Sequence, residues 1–197
     1  AHADVQHLVH LSAIGADANS ASAYARSKAA GEGLVRALFP SAVILRPSII
    51  FGPDDGFFNR FARMALLSPF LPLIGGGHTR FQPVYVGDVA HAVIAAINNP
   101  SAAGKLFELG GPAIYTFKGL LQIMLRVIGR RRWLLNVPWR LAFWQGKILQ
   151  RLPGQLLTED QVILLQSDNV VTAGAKTLAD LGVKATALEA ILPTYLD

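Results

Sequence analysis

Two short apolar runs, Val5 to Leu11 and Ala42 to Leu45, flank a segment of helical character that stops at Pro40. Runs of this kind, short and rich in apolar residues, read as buried strands, and two of them joined by a helix fit an open α/β sheet of parallel strands. Such sheets bind ligands at the carboxyl ends of their strands. Ser12 closes the first run and therefore stands where a ligand would be met. Gly15 to Ser22 is a loop of small, turn-forming residues suited to bringing the next segment back towards it.

That segment opens with Tyr24-Ala25-Arg26-Ser27-Lys28. One helical turn separates Tyr24 from Lys28, so both stand on one face about 6 Å apart. A phenol with a pKa of about 10 is a poor base at neutral pH, and a nearby ammonium favours the phenolate. Bringing it near neutrality takes roughly 4 kcal/mol, within reach of a partly desolvated cation together with a bound cofactor's charge. Ser12 would donate to the oxygen of a reacting carbonyl or carbinol. The same residues also fit a glycine-weakened core helix that carries a surface Tyr-Lys pair.

After the second strand, Arg46-Pro47-Ser48-Ile49-Ile50-Phe51-Gly52-Pro53 reads as a loop stiffened by its prolines and turned at Gly52. Ile50 and Phe51 there offer a surface to a flat ring. Together with His10-Leu11-Ser12-Ala13, Tyr24-x-x-x-Lys28 and Gln82-Pro83-Val84-Tyr85-Val86-Gly87-Asp88-Val89-Ala90, this loop resembles the extended and atypical short-chain dehydrogenase/reductases of the NAD-dependent epimerase/dehydratase superfamily. The short Ser12-to-Tyr24 spacing, the Gly-Gly-x-Thr-Arg-Phe-Gln-Pro-Val-Tyr-Val run from Gly76 and a basic, aromatic C-terminal part are most similar to one atypical group. That group contains the NDUFA-nine-like accessory subunit of respiratory complex I and its bacterial relatives.

The resemblance implies an incomplete Rossmann-type fold, a doubly wound parallel sheet with a smaller C-terminal α/β substrate-side region. Residues 1–55 would be the C-terminal part of an NAD(P)-binding domain. Residues 56–197 would form the substrate-side region, with 84–110 returning to the first domain. It implies NAD(P) as cofactor, NADP(H) slightly preferred. Tyr24 would give or take the proton, Lys28 would lower its pKa and hold the nicotinamide ribose, and Ser12 would orient the carbonyl. Pro47, Ser48, Ile49 and Ile50 would pass beside the nicotinamide. Arg80 falls where sugar-nucleotide epimerases place a basic residue near the substrate diphosphate, although Gln82-Pro83 departs from their pattern. The resemblance also implies roughly a hundred preceding residues with the first βαβ units and the glycine-rich phosphate loop, neither of which this segment contains. The segment alone is expected to bind cofactor weakly or not at all.

Composition narrows the rest. With 52% hydrophobic and 16% charged residues the chain is more apolar than an average soluble domain, which suits a partner or a membrane meeting part of its surface. Met64 to Thr79 is uncharged but broken by Pro69, Pro72 and three glycines, so no run predicts a transmembrane helix. Cysteine is absent, which excludes disulfides and thiolate chemistry. His2, His7, His10, His78 and His91 show no metal-ligand spacing, and Asp54-Asp55-Gly56 reads as a capping turn that opens an amphipathic helix to Leu67, expected to roof the site. Gly75-Gly76-Gly77 is not followed by a helix and is a turn rather than a phosphate loop. Asp88 opens a helix towards Asn98, Leu106 to Leu109 is a late strand, and Thr116 caps a helix to about Ile128.

Between Glu108 and Glu159 there is no acid, while Lys118, Arg126, Arg130, Arg131, Arg132, Arg140, Lys147 and Arg151 supply eight of the cations behind the formal net charge of +5. In the helix expected after Pro138, Arg140, Lys147 and Arg151 form one stripe with Trp144 at its edge and Leu141, Ile148 and Leu152 beside it. Residues 118–151 therefore suit an anionic membrane surface or an acidic protein partner, as well as a plain solvated face. No nucleic-acid module accompanies them. Three functions follow from the resemblance and the charge. The first is an NAD(P)-binding oxidoreductase or cofactor-holding accessory subunit related to NADH:quinone oxidoreductase. The others are a non-catalytic assembly or docking protein of a membrane complex, and a nucleotide-sugar epimerase/dehydratase. The expected location is the cytoplasmic or mitochondrial-matrix side, peripheral to the inner membrane. The sequence names no chemistry for residues 159–197.

Overall fold

The computed structural model describes residues 5–149 and 158–196. In chain order the elements are β1 (Val9–Leu11), α1 (Ala23–Leu38), β2 (Val43–Pro47), β3 (Ile50–Phe51), α2 (Phe58–Leu67), β4 (Phe70–Ile74), β5 (Arg80–Phe81), β6 (Val84–Tyr85) and α3 (Val86–Asn98). They continue with β7 (Leu106–Leu109), β8 (Tyr115–Thr116), α4 (Phe117–Val127), β9 (Trp133–Val137), α5 (Trp139–Leu149), α6 (Glu159–Leu164) and α7 (Leu188–Ile191).

The sheet that carries the site is parallel, in the order β1-β2-β7, with Leu11 opposite Leu45 and Arg46 opposite Glu108. The first strand is shorter than the apolar run suggested. Only Val9 to Leu11 pairs, and Val5 and Leu11 are exposed because β1 has no neighbour on its outer side among the described residues. The central strand β2 is buried along most of its length, which is why its sequence is continuously apolar before Arg46. Val43, Leu45, Phe107 and Leu109 pack against Val89, Ala92 and Ala96 of α3.

A second core lies beyond the loop that leaves β2. There Phe51, Phe58, Leu71, Phe117, Leu120, Leu121 and Met124 are wholly or almost wholly buried. Helix α2 spends its apolar face on this core, where Phe57 and Phe61 meet Phe117 edge-on. Asp55 caps it, accepting from the amides of Phe57 and Phe58, so the paired carboxylates do serve as a capping turn. Tyr195 donates to the other Asp55 oxygen at 2.5 Å; burial first, and that carboxylate second, push the Tyr195 phenol far above its usual value.

Strands β4 and β9 form a separate two-stranded parallel ribbon, with Phe70 opposite Trp133 and Pro72 opposite Leu135. It is fastened to its surroundings at Gly75, whose φ of +59° and missing side chain let the Trp139 ring lie on the backbone. A Cβ at that position would stand 2.0 Å from the indole. Leu141 of α5, expected beside the basic stripe, is exposed. Of the expected stripe, Arg140 is exposed, while the side chains of Lys147 and Ile148, and Arg151 and Leu152 altogether, lie outside what the structure describes.

Candidate functional site

Three strand ends converge on one edge of the sheet. The amide of Ser12 donates to Leu45 at 2.8 Å, that of Ile14 to Pro47 at 3.0 Å, and that of Ser48 to Leu109 at 2.9 Å. The loops that leave β1 and β2 thus continue side by side past the sheet, where an open α/β fold meets its ligands.

Helix α1 begins at this edge. Ser22 caps it, its hydroxyl accepting from the Ala25 amide at 3.1 Å. The cap is doubled by Asp160 of α6, which accepts from the Ser22 hydroxyl at 2.9 Å and the Ala23 amide at 2.7 Å, with the Tyr24 amide at 3.3 Å. A carboxylate at the positive end of a helix is favourably placed, and this one ties the C-terminal part of the chain to the start of α1.

Tyr24 and Lys28 lie on the face of α1 that the spacing predicted. The Lys28 Nζ is 5.7 Å from the Tyr24 ring centroid and donates to the Leu11 carbonyl at 3.2 Å. Tyr24 is 46% exposed. Partial burial holds its pKa above the ordinary phenol value, the opposite of the direction expected from Lys28, and in this state the residue is a protonated phenol at neutral pH.

Ser12 is elsewhere engaged. It is buried, and its hydroxyl donates to Glu32 Oε1 at 2.5 Å. Glu32 also takes a two-pronged hydrogen bond from Arg46, Nε at 2.7 Å and Nη2 at 2.8 Å, and Arg46 Nη1 stands 4.0 Å from Glu108. Burial alone would raise the Glu32 carboxyl; the Arg46 guanidinium and the Ser12 hydroxyl outweigh it and hold the group below the usual carboxylate value. Glu108 is completed by the Thr172 amide at 2.7 Å. A row of Ser12, Glu32, Arg46 and Glu108, buried except for the partly exposed Arg46, therefore crosses beneath the edge of the site. Sequence reading missed Glu32, although it falls one further turn beyond Lys28 on the same face, and a charged Arg46 in a buried strand calls for an acid.

The other expected residues are also in contact with this chain's own groups. Pro47 is buried as the last residue of β2, and Ile49 and Ile50 lead into β3, where the Ile49 carbonyl accepts from the Val84 amide. The Ser48 hydroxyl reaches Asn169, 2.7 Å from its Oδ1 and 2.9 Å from its carbonyl, while Asn169 Nδ2 donates to the Ile14 carbonyl at 3.2 Å. Arg80 is engaged in an exposed ion pair, its Nη2 2.7 Å and Nε 2.9 Å from Asp168 Oδ2. The Arg80 guanidinium keeps the Asp168 carboxyl below its usual value. Asp160, Asp168 and Asn169 come from the stretch to which the sequence assigned no chemistry.

For a nicotinamide dinucleotide the fit is partial and specific. The Tyr24 hydroxyl and Lys28 ammonium are donors suited to a ribose diol, whereas Pro47 ends β2 and Ile50 is already paired with Val84 in β3. Among the described residues no cluster of acids and histidines could hold a metal ion.

The parallel β1-β2-β7 sheet with helices packed on it defines a Rossmann-like α/β fold. The chain belongs to the NAD dependent epimerase/dehydratase family, whose model matches residues 6–110. It is 37% identical over 192 residues to the mitochondrial NADH dehydrogenase [ubiquinone] 1 alpha subcomplex subunit 9 of Arabidopsis thaliana, covering 91% of this chain and 47% of that one. To the protein of the same name from Mus musculus it is 37% identical, covering 95% and 50%. The chain thus spans about half the length of these curated relatives. Among solved structures it is similar to a nucleoside-diphosphate-sugar epimerase from Staphylococcus aureus, with a TM-score of 0.74 and 17% identity over 96% of this chain and 65% of that one. It is also similar to the dTDP-glucose 4,6-dehydratase DesIV from Streptomyces venezuelae, solved with NAD and TYD, with a TM-score of 0.70 and 18% identity over 98% and 59%. At these identities the solved structures speak for the fold.

Proposed function

We propose that the protein containing this chain holds a nicotinamide dinucleotide against Tyr24 and Lys28 and serves as a cofactor-holding accessory subunit of a membrane-bound NADH:quinone oxidoreductase. One observation carries the choice of holder over enzyme. The Ser12 hydroxyl, the expected partner of a reacting carbonyl, donates into the half-buried Glu32–Arg46 pair, while Tyr24 is exposed and Lys28 half-buried. NADP(H) is the favoured form, in keeping with a net charge of +5 that suits a ligand with an additional phosphate. Attachment at the membrane's cytoplasmic or matrix side is carried by the basic stretch 118–151, in which Lys118, Arg126, Arg130, Arg131 and Arg140 are exposed. No helix among the described residues is long and apolar enough to cross a membrane.

A second reading, turnover as an oxidoreductase, is favoured by the Tyr24 and Lys28 geometry. The bound dinucleotide would supply or accept hydride. Tyr24 would give its hydroxyl proton to the substrate oxygen, and Lys28 would stabilise the phenolate left behind. The epimerase/dehydratase alternative draws less support, since Arg80 is paired with Asp168.

The test uses the full-length protein. Fluorescence titration should show NADPH binding, about tenfold weaker or worse in Lys28→Ala, with no consumption of NADPH over a panel of carbonyl compounds. Sustained turnover that Tyr24→Phe abolishes would replace the holder by the enzyme. Absence of NADPH and NADH binding would overturn both.

A further inference from the structure

We infer that the outer face of the β4–β9 ribbon, with the arginines that precede it, is a docking surface for an anionic lipid bilayer. The inference deepens the reading of a membrane-attached subunit and depends on it.

Strand alternation places Leu71 and Leu73 against the protein, and Phe70, Trp133 and Leu135 outside. The Phe70 and Trp133 rings stack on one another at 5.3 Å, yet Trp133 remains 67% exposed. Leu67, 90% exposed, ends α2 three residues before Phe70. Arg132 draws these segments together by donating from Nε to the Ala65 carbonyl at 2.6 Å, which sets Arg130 and Arg131 beside the end of α2. Both are exposed, and neither forms an ion pair among the described residues. An apolar cluster of this make-up, bounded by cations, is a surface that water alone serves poorly.

Its chemistry selects the occupant. The named side chains are apolar or cationic apart from the single indole N–H of Trp133, so they supply an interfacial aromatic anchor and headgroup charge with few of the neutral hydrogen-bonding groups that fix the register of a protein partner. Two copies packed through this face would bring their arginines together, which opposes self-association. Acids are scarce around it. Asp54 and Asp55 line a groove with Leu67, but share it with Arg60 and Arg63, and Asp55 is already committed to the α2 cap and Tyr195. A fluid surface rich in phosphate satisfies the arginines and takes up the rings.

The experiment sediments the full-length protein with vesicles of phosphatidylcholine, alone or with about one-third phosphatidylglycerol. Binding is expected only with the anionic lipid, and should weaken as salt rises from about 50 to about 500 mM. Arg130→Glu together with Arg131→Glu should lower partitioning at least twentyfold, from the roughly fivefold contributed by each cation near a charged surface. Phe70→Ser with Trp133→Ser should lower it by tenfold or more, with far-ultraviolet circular dichroism confirming that both variants are folded. Unchanged partitioning in both variants would overturn the inference, as would binding to an acidic polypeptide but not to vesicles. Cofactor binding is measured on the same samples. Its presence without vesicle binding sinks the lipid surface alone, and its absence sinks the holder reading whatever the vesicles do.

Discussion

The hydroxyl of Ser12 donates to Glu32 at 2.5 Å, and the same carboxylate is gripped by both prongs of Arg46. A residue expected to meet substrate is thereby made part of the frame that holds α1 on the sheet. Glu32→Gln keeps the shape and removes the charge, leaving Arg46 with only the more distant Glu108. A loss of about 3 kcal/mol is expected in urea unfolding. The effect should depend on pH. Because the folded carboxyl lies below its ordinary value of 4.5, its stabilisation is present above that value and fades as pH falls through the lower folded one. Thermal unfolding should show wild type and Glu32→Gln converging in acid; a constant gap would contradict the assignment.

Asp160 reaches the start of α1 across more than a hundred residues of chain. Asp160→Ala should cost about 1–2 kcal/mol through loss of the cap contacts and speed hydrogen exchange at the amides of Ala23 and Tyr24. If those two amides exchange at the wild-type rate, the clasp between α6 and α1 is not formed in solution.

Gly75 is predicted to be intolerant of any side chain. Gly75→Ala adds a Cβ where the Trp139 indole lies and demands a left-handed backbone at that residue, at a combined cost of about 2 kcal/mol or more. Urea unfolding together with a displaced Trp139 indole proton resonance would register it. A stability equal to wild type would mean that the ring lies elsewhere.

Much of the frame was legible because it is periodic. The helices α1, α3 and α4 show their apolar spacing and their stops, and β2 its continuous burial. β1 was overextended because an edge strand needs a partner that composition does not reveal. The β4–β9 pairing was invisible, since Pro72 interrupts one strand and the other lies far along the chain. That Tyr24 and Lys28 share a face of α1 follows from helical spacing, while their assignment to a site came from the surrounding motifs. Glu32 reads in sequence as one more solvated acid, and only its burial against Arg46 and Ser12 shows otherwise. Asp160, Asp168 and Asn169 act at separations of 88 to 155 residues, where local pattern carries no information about what they touch.

The ribbon of β4 and β9 also dictates an order of events during folding. Its strands are brought together by groups 67 positions apart, as in the Arg132 to Ala65 contact, and a parallel pair of this kind cannot zip up from a tight turn. Loop closure on that scale is repaid only after α4 has seated on α2, so the pair should be among the last parts to gather and the first to open. A nascent chain would thus show Phe70 and Trp133 as separate rings to chaperones, or to a waiting surface, before the ribbon stacks them.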